Sequence, residues 1–152
     1  MALIAVKIPK KIQMLFFSLI GLSWATGLAF FALKTWFIVE GEFGPEKHPW
    51  QQPMLMIHGG SSFLIMMMFG ALLVSHVPST WKLNRLRGIG ITLVSIISFQ
   101  VISAYMLYYL GNETMRDIIE YMHLFVGFIL PFIILQHVLA GKKKKVAAIN
   151  KS

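Results

Sequence analysis

The sequence predicts an all-α fold, a four-transmembrane-helix bundle with both termini cytoplasmic. Four apolar runs predict the helices, at roughly residues 12–37, 54–77, 88–110 and 118–140. Each is near the 20 or so residues that a helix needs to cross a hydrocarbon core about 30 Å thick. Composition agrees: hydrophobic residues make up 57% of the chain and charged residues 13%, with a mean hydropathy of +0.69, far from the soluble norm. Residues 1–152 therefore read as a single membrane domain, with no room for a soluble catalytic domain.

The distribution of charge orients the helices. The net charge of +8 is not spread evenly, as a nucleic-acid-binding surface would require. Lys7, Lys10, Lys11, Lys82, Arg85, Arg87, Lys142 to Lys145 and Lys151 all fall on one side of four alternating spans. The six acids, Glu40, Glu42, Glu46, Glu113, Asp117 and Glu120, fall on the other side or at its margin, with Lys34, Lys47 and Arg116. Positive charge stays inside, so both termini and the middle connection are expected in the cytoplasm. Lys142 to Lys145 then stop transfer and meet anionic lipid. The absence of cysteine excludes covalently attached c-type haem, cysteine-ligated iron–sulfur clusters and disulfides.

Taken in order, the basic lead before span 1 suits either a signal peptide or a retained helix. The length of the apolar run, without a clear small-residue exit, favours a retained span. Gly21 and Gly27 allow a neighbouring helix to approach, while Lys34 and Trp36 suit the outer interface. The connection VEGEFGPEKHPWQQP reads as a solvated turn or a docking surface, with His48 an exposed histidine. Pro78-Ser79-Thr80 is expected to end span 2. In span 3, Ser95, Ser98, Ser103 and Gln100 are candidates for interhelical hydrogen bonds, and Tyr105, Tyr108 and Tyr109 form an outer aromatic belt. The short link GNETMRD makes spans 3 and 4 antiparallel neighbours. Pro131, inside span 4, should bend it and free the carbonyl of Gly127.

Spans 2 and 4 carry the chemistry. His58 and His76 lie in one, His123 and His137 in the other, and an ionisable residue within a span marks a functional site by default. At about 100° per residue, the 18-residue separation of His58 and His76 returns to the same helix face, and the 14-residue separation of His123 and His137 lands about 40° away. Both spans run outside to inside, so His58 and His123 form an outer pair and His76 and His137 an inner pair. A haem iron takes one axial imidazole from each side of the macrocycle, which matches two histidines on each of two facing helices. Ser62, Ile65, Phe69 and Leu72 of span 2, with Gly127, Leu130 and Ile134 of span 4, offer small and apolar surfaces between them. The rise between histidines is about 27 Å in span 2 and about 21 Å in span 4, a mismatch that falls on the outer pair. Lys34 and Arg116 on the outer side, and Arg85 and Arg87 on the inner side, are candidate partners for haem propionates or plain interfacial anchors.

Other readings of these residues stay open. A lone membrane histidine can be a satisfied polar contact or part of a proton relay. Zinc or copper is a weaker fit, since two imidazoles make an incomplete shell. The methionines of span 2 read as apolar filling.

The pattern HG…G…SHV…W…R…G followed by AYMLYY…ETMRD…H…G…LP…H…G resembles the small four-helix bacterial membrane cytochromes b. That family shares its design with the cytochrome b subunits of hydrogenases and formate dehydrogenases. The residues carrying the likeness are His58-Gly59, Ser75-His76-Val77, Tyr108-Tyr109, Arg116, His123, Gly127, Pro131 and His137, over roughly residues 20–141. Relatives often carry glycine where this chain has Ala104. The resemblance implies two haem b groups in a bacterial inner membrane, linking a quinone pool or periplasmic donor to a partner subunit.

The expected function is thus transmembrane electron transfer through two bis-histidine b-type haems, with iron bound by His58 and His123 outside and by His76 and His137 inside. If quinone is the partner, Glu120, Tyr121, Tyr109 or Arg85 would handle its proton. Two other classes remain: a structural or assembly subunit of a larger respiratory or oxygenase complex, and a stand-alone quinone-linked oxidoreductase.

Overall fold

The computed structural model describes residues 8–82 and 86–149, with the backbone alone at Lys82 and at residues 144–149. Arg85, Lys7 and Lys151 lie outside the described residues. The elements in order are helix α1 (Lys10–Thr35), strands β1 (Val39–Gly41) and β2 (Gly44–Glu46), and helices α2 (Gln51–Lys82), α3 (Arg87–Tyr109) and α4 (Glu113–Ile149). All four helices are long and apolar enough to cross a membrane. The described chain falls into two compact units, residues 8–70 and residues 71 onward, and α2 passes from the first into the second.

In the first unit, α1 starts at Pro9, whose carbonyl accepts the amide of Gln13 at 3.1 Å. A proline at a helix start costs nothing, because its missing N–H would have had no partner there. One face of α1 buries Leu19, Ile20, Ser23 and Thr26, the one-to-four spacing of a single helical stripe. On α2, Ser61, Ile65 and Phe69 are buried at four-residue intervals. Polar groups on these faces are satisfied locally. Thr26 donates to the carbonyl of Leu22 at 2.7 Å, and Ser61 to that of His58 at 3.0 Å. An apolar surround makes such bonds close to obligatory.

The link between α1 and α2 is more ordered than the solvated turn expected there. β1 and β2 form an antiparallel hairpin pairing Val39 with Glu46, Glu40 with Pro45 and Gly41 with Gly44. Gly44 makes the turn possible, with φ at +117°, a region open to glycine at no steric cost. His48 does not project idly into solvent. Its carbonyl accepts the Gln51 amide at 2.9 Å and its Nδ1 accepts the Trp50 amide at 3.2 Å. It thereby takes up donors that the start of α2 leaves open.

The end of α2 departs from expectation. The helix continues through Pro78 to Lys82 instead of stopping at Pro78-Ser79-Thr80. Pro78 has no amide to give the carbonyl of Val74, yet the helix runs on past it. Ser79 and Thr80 each donate to the carbonyl of His76 at 2.9 Å. The chain then turns through Leu86, in the left-handed region with φ at 52°, into α3.

In the second unit α3 packs along α4, as the short link between them requires. Asn112 caps α4: its side-chain oxygen accepts the Met115 amide at 3.0 Å, and its carbonyl accepts that of Arg116 at 3.0 Å. α4 runs unbroken through Pro131 to Ile149. Tyr105, Tyr108 and Tyr109 are exposed, with the rings of Tyr105 and Tyr109 4.7 Å apart. Replacing Asn112 by alanine removes the α4 cap and should lower unfolding stability by about 1 kcal/mol, read from denaturant titration in detergent, with helix content unchanged.

Candidate functional site

The two histidines of α4 share its inward side. His123, Gly127, Leu130 and His137 are half-buried and Ile134 is buried, whereas Tyr121, Phe125, Phe128, Phe132 and Leu135 are exposed. α2 shows the same division. His58, Ser62, Leu72 and His76 are half-buried and Ile65 and Phe69 buried, against exposed Met56, Phe63, Met67 and Val74. The helical period that groups the histidines by face is therefore the period that separates covered from bare surface.

His76 and His137 lie in the same unit and face one another. Their ring centroids are 6.4 Å apart and their planes meet at 80°. A ring nitrogen lies about 1.1 Å from the centroid and a metal–imidazole bond is about 2.0 Å, so two imidazoles on opposite sides of one ion have centroids about 6.2 Å apart. The spacing suits a shared ion and equally an edge-to-face ring contact. Nδ1 of each ring is buried with no hydrogen-bond partner among the described residues. An unpartnered buried polar atom costs about 1–3 kcal/mol, a cost that a water, an ion or another bound group would relieve.

His58 is fixed differently, from α1. Its Nδ1 lies 2.8 Å from the backbone oxygen of Ser23. A carbonyl can only accept, so Nδ1 carries the proton and Nε2 the lone pair. The Ser23 hydroxyl lies 3.3 Å from the same nitrogen and bonds that of Ser62 at 2.9 Å. Gly27 makes the room: a Cβ there would come within 2.9 Å of both Cε1 and Nδ1 of the ring. His58 thus rests on bare backbone.

His123 is held from α3. Its Nδ1 lies 2.7 Å from the hydroxyl of Ser103, which also lies 3.2 Å from the backbone oxygen of Gln100. A hydroxyl that gives its proton to that carbonyl accepts from Nδ1–H and leaves the lone pair on Nε2; one that gives it to Nδ1 leaves the ring proton on Nε2. The Gln100 amide donates to the carbonyl of His123 at 3.1 Å, and Gly127 leaves space for it, since a Cβ would lie 2.5 Å from Gln100 Nε2. Oε1 of Gln100 is buried without a partner among the described residues. Of the span 3 polar residues singled out from sequence, Ser103 and Gln100 are the pair shown bonding across to α4. His58 and His123 belong to different units, and each is described within its own.

The candidate propionate partners are placed as follows. Lys34 lies exposed in the last turn of α1, and Arg116 exposed at the start of α4. The Arg87 guanidinium donates to the Trp81 carbonyl at 2.8 and 3.1 Å and sits 4.9 Å from the centre of the Trp81 ring. Among the described residues no group of three or more His, Cys, Asp or Glu could close around a bare ion. The imidazoles shown facing one another are those of His76 and His137.

Ser23 is the partner of His58 that sequence reading passed over. Its signal is faint but present: Ser23 and Gly27, four residues apart, put a small polar stripe on one face of an otherwise apolar helix. No family model matches the chain, and no curated protein or solved structure matches it. Replacing Gly27 by valine should push the His58 ring off the Ser23 carbonyl, at a cost of about 1–3 kcal/mol. Increased reactivity of His58 toward an imidazole-modifying reagent, mapped by mass spectrometry, checks this.

Proposed function

We propose that this chain carries electrons across a membrane through two b-type haems, each held by a pair of histidines. The observation that carries the reading is the facing of His76 and His137, at a ring separation of 6.4 Å with both Nδ1 atoms buried and unpartnered. That donor set fits an iron porphyrin: two imidazoles without a third protein ligand, among apolar side chains such as Ile134, suit the two axial positions that haem leaves to the protein. His76 and His137 would hold the inner group, His58 and His123 the outer one. When bound, haem supplies a one-electron couple that no side chain in this chain offers.

The chain's own residues do the rest. The Ser23 carbonyl and the Ser103 hydroxyl hold the Nδ1 protons of His58 and His123, which orients the rings and keeps the lone pair on Nε2. Large apolar side chains on the inward faces, Ile65, Phe69 and Ile134 among them, keep water from the sites. In this reading the four helices span a bacterial inner membrane with both termini cytoplasmic, because the bases gather at one end and the acids at the other. Electrons would pass between a quinone pool or periplasmic carrier and a partner protein, with this chain as a subunit rather than an independent catalyst.

Purified protein should show sharp b-type bands on reduction and close to two haems per chain. Replacing His76 or His137 by alanine should remove about half of the haem. A colourless preparation without extractable haem, folded by circular dichroism, would favour a structural subunit instead.

A further inference from the structure

We infer that Ser103 is a positioning residue for His123, selecting the tautomer in which His123 can bind a metal. The inference about ligand binding rests on the haem reading above, while the tautomer itself does not. A neutral imidazole carries its proton on either nitrogen, and the environment decides which. At His123 the decision is made by a chain of three groups on α3. Nδ1–H of His123 meets the Ser103 hydroxyl at 2.7 Å, that hydroxyl meets the Gln100 carbonyl at 3.2 Å, and the Gln100 amide returns to the His123 carbonyl at 3.1 Å.

The arrangement is closed. The Ser103 proton, in this inference, goes to the Gln100 carbonyl, which can only accept, and that leaves Ser103 its lone pairs to present to the ring. Ser103 is 1% exposed, the most deeply buried polar group described, so no water competes for its hydroxyl. Gly127 keeps the amide of Gln100 in place by leaving the volume of a Cβ empty. Packing alone does not require a hydroxyl at position 103, since alanine would fill nearly the same volume. What the oxygen adds is the direction of one proton.

His58 reaches the same tautomer by another route, through the backbone oxygen of Ser23 at 2.8 Å, which a side-chain substitution leaves in place. Ser103 is therefore where this control can be removed by mutation. Partners of this kind typically change metal affinity by about 10–100-fold when removed. They strengthen the ligand toward the more highly charged metal, so their loss should favour the ferrous form. A tenfold change in that preference is about 59 mV for one electron.

The test uses the full-length chain with its histidines labelled with nitrogen-15, first free of haem and then loaded with it. In haem-free protein, the His123 signals, assigned by their loss in His123→Gln, should report a proton on Nδ1. Ser103→Ala should shift His123 toward the other tautomer or a mixture, and Ser103→Thr should restore it. In loaded protein, Ser103→Ala should raise the midpoint potential of one haem, or release that haem, leaving the other unchanged. His123 in the Nε2–H tautomer in the wild type, or a tautomer indifferent to Ser103→Ala, overturns the inference even if both haems are present. Failure to bind haem with the tautomer shift intact would instead count against the haem reading and leave Ser103 in its positioning role.

Discussion

A histidine in an apolar helix poses one constraint from which the rest follows: both ring nitrogens need a partner, and the surroundings offer none. Apolar side chains satisfy no polar atom, so a ring nitrogen buried among them goes unsatisfied unless a polar group reaches it. The chain meets this in two ways. His58 and His123 each set Nδ1 against an oxygen on a neighbouring helix, the Ser23 carbonyl or the Ser103 hydroxyl. His76 and His137 have no such oxygen for Nδ1 among the described residues, and they face one another. Small residues follow from the same constraint, because Gly27 and Gly127 are where a side chain would collide with these partners.

How much of this was legible depends on the range of the interaction. The helices could be read from composition, because an apolar run of sufficient length is itself the condition for spanning. So could the inward faces of α2 and α4, since a period of 3.6 residues places His123, Gly127, Ile134 and His137 on one stripe. Boundaries were less legible. α2 outruns Pro78 by a turn, because a proline removes a single bond from the ladder and the flanking helical bonds can carry the helix past it. The hairpin at Val39–Glu46 was hidden for the opposite reason. Its strands are three residues each and contain glycine and proline, so no alternation of polar and apolar residues could announce them.

The partners of the histidines lay at the limit of sequence reading. Ser103 and Gln100 stood out as polar residues in an apolar span, and both bond to α4. Ser23 acts mainly through its backbone oxygen, which every residue possesses, and no residue type can signal that. That His76 and His137 meet at 6.4 Å depends on the packing of two helices, which no single residue type signals, and the haem proposed for them rests on the chemistry of paired imidazoles.

The most direct measurement of that claim is low-temperature electron paramagnetic resonance of the oxidised, purified chain. The account predicts low-spin ferric iron, with the strongly anisotropic signal expected of axial imidazoles whose planes are nearly perpendicular, as the 80° angle between His76 and His137 requires. This signal should vanish when His137 is replaced by alanine. Ferric haem that is entirely high-spin, or a low-spin signal left undiminished by replacement of both His76 and His137, would contradict it.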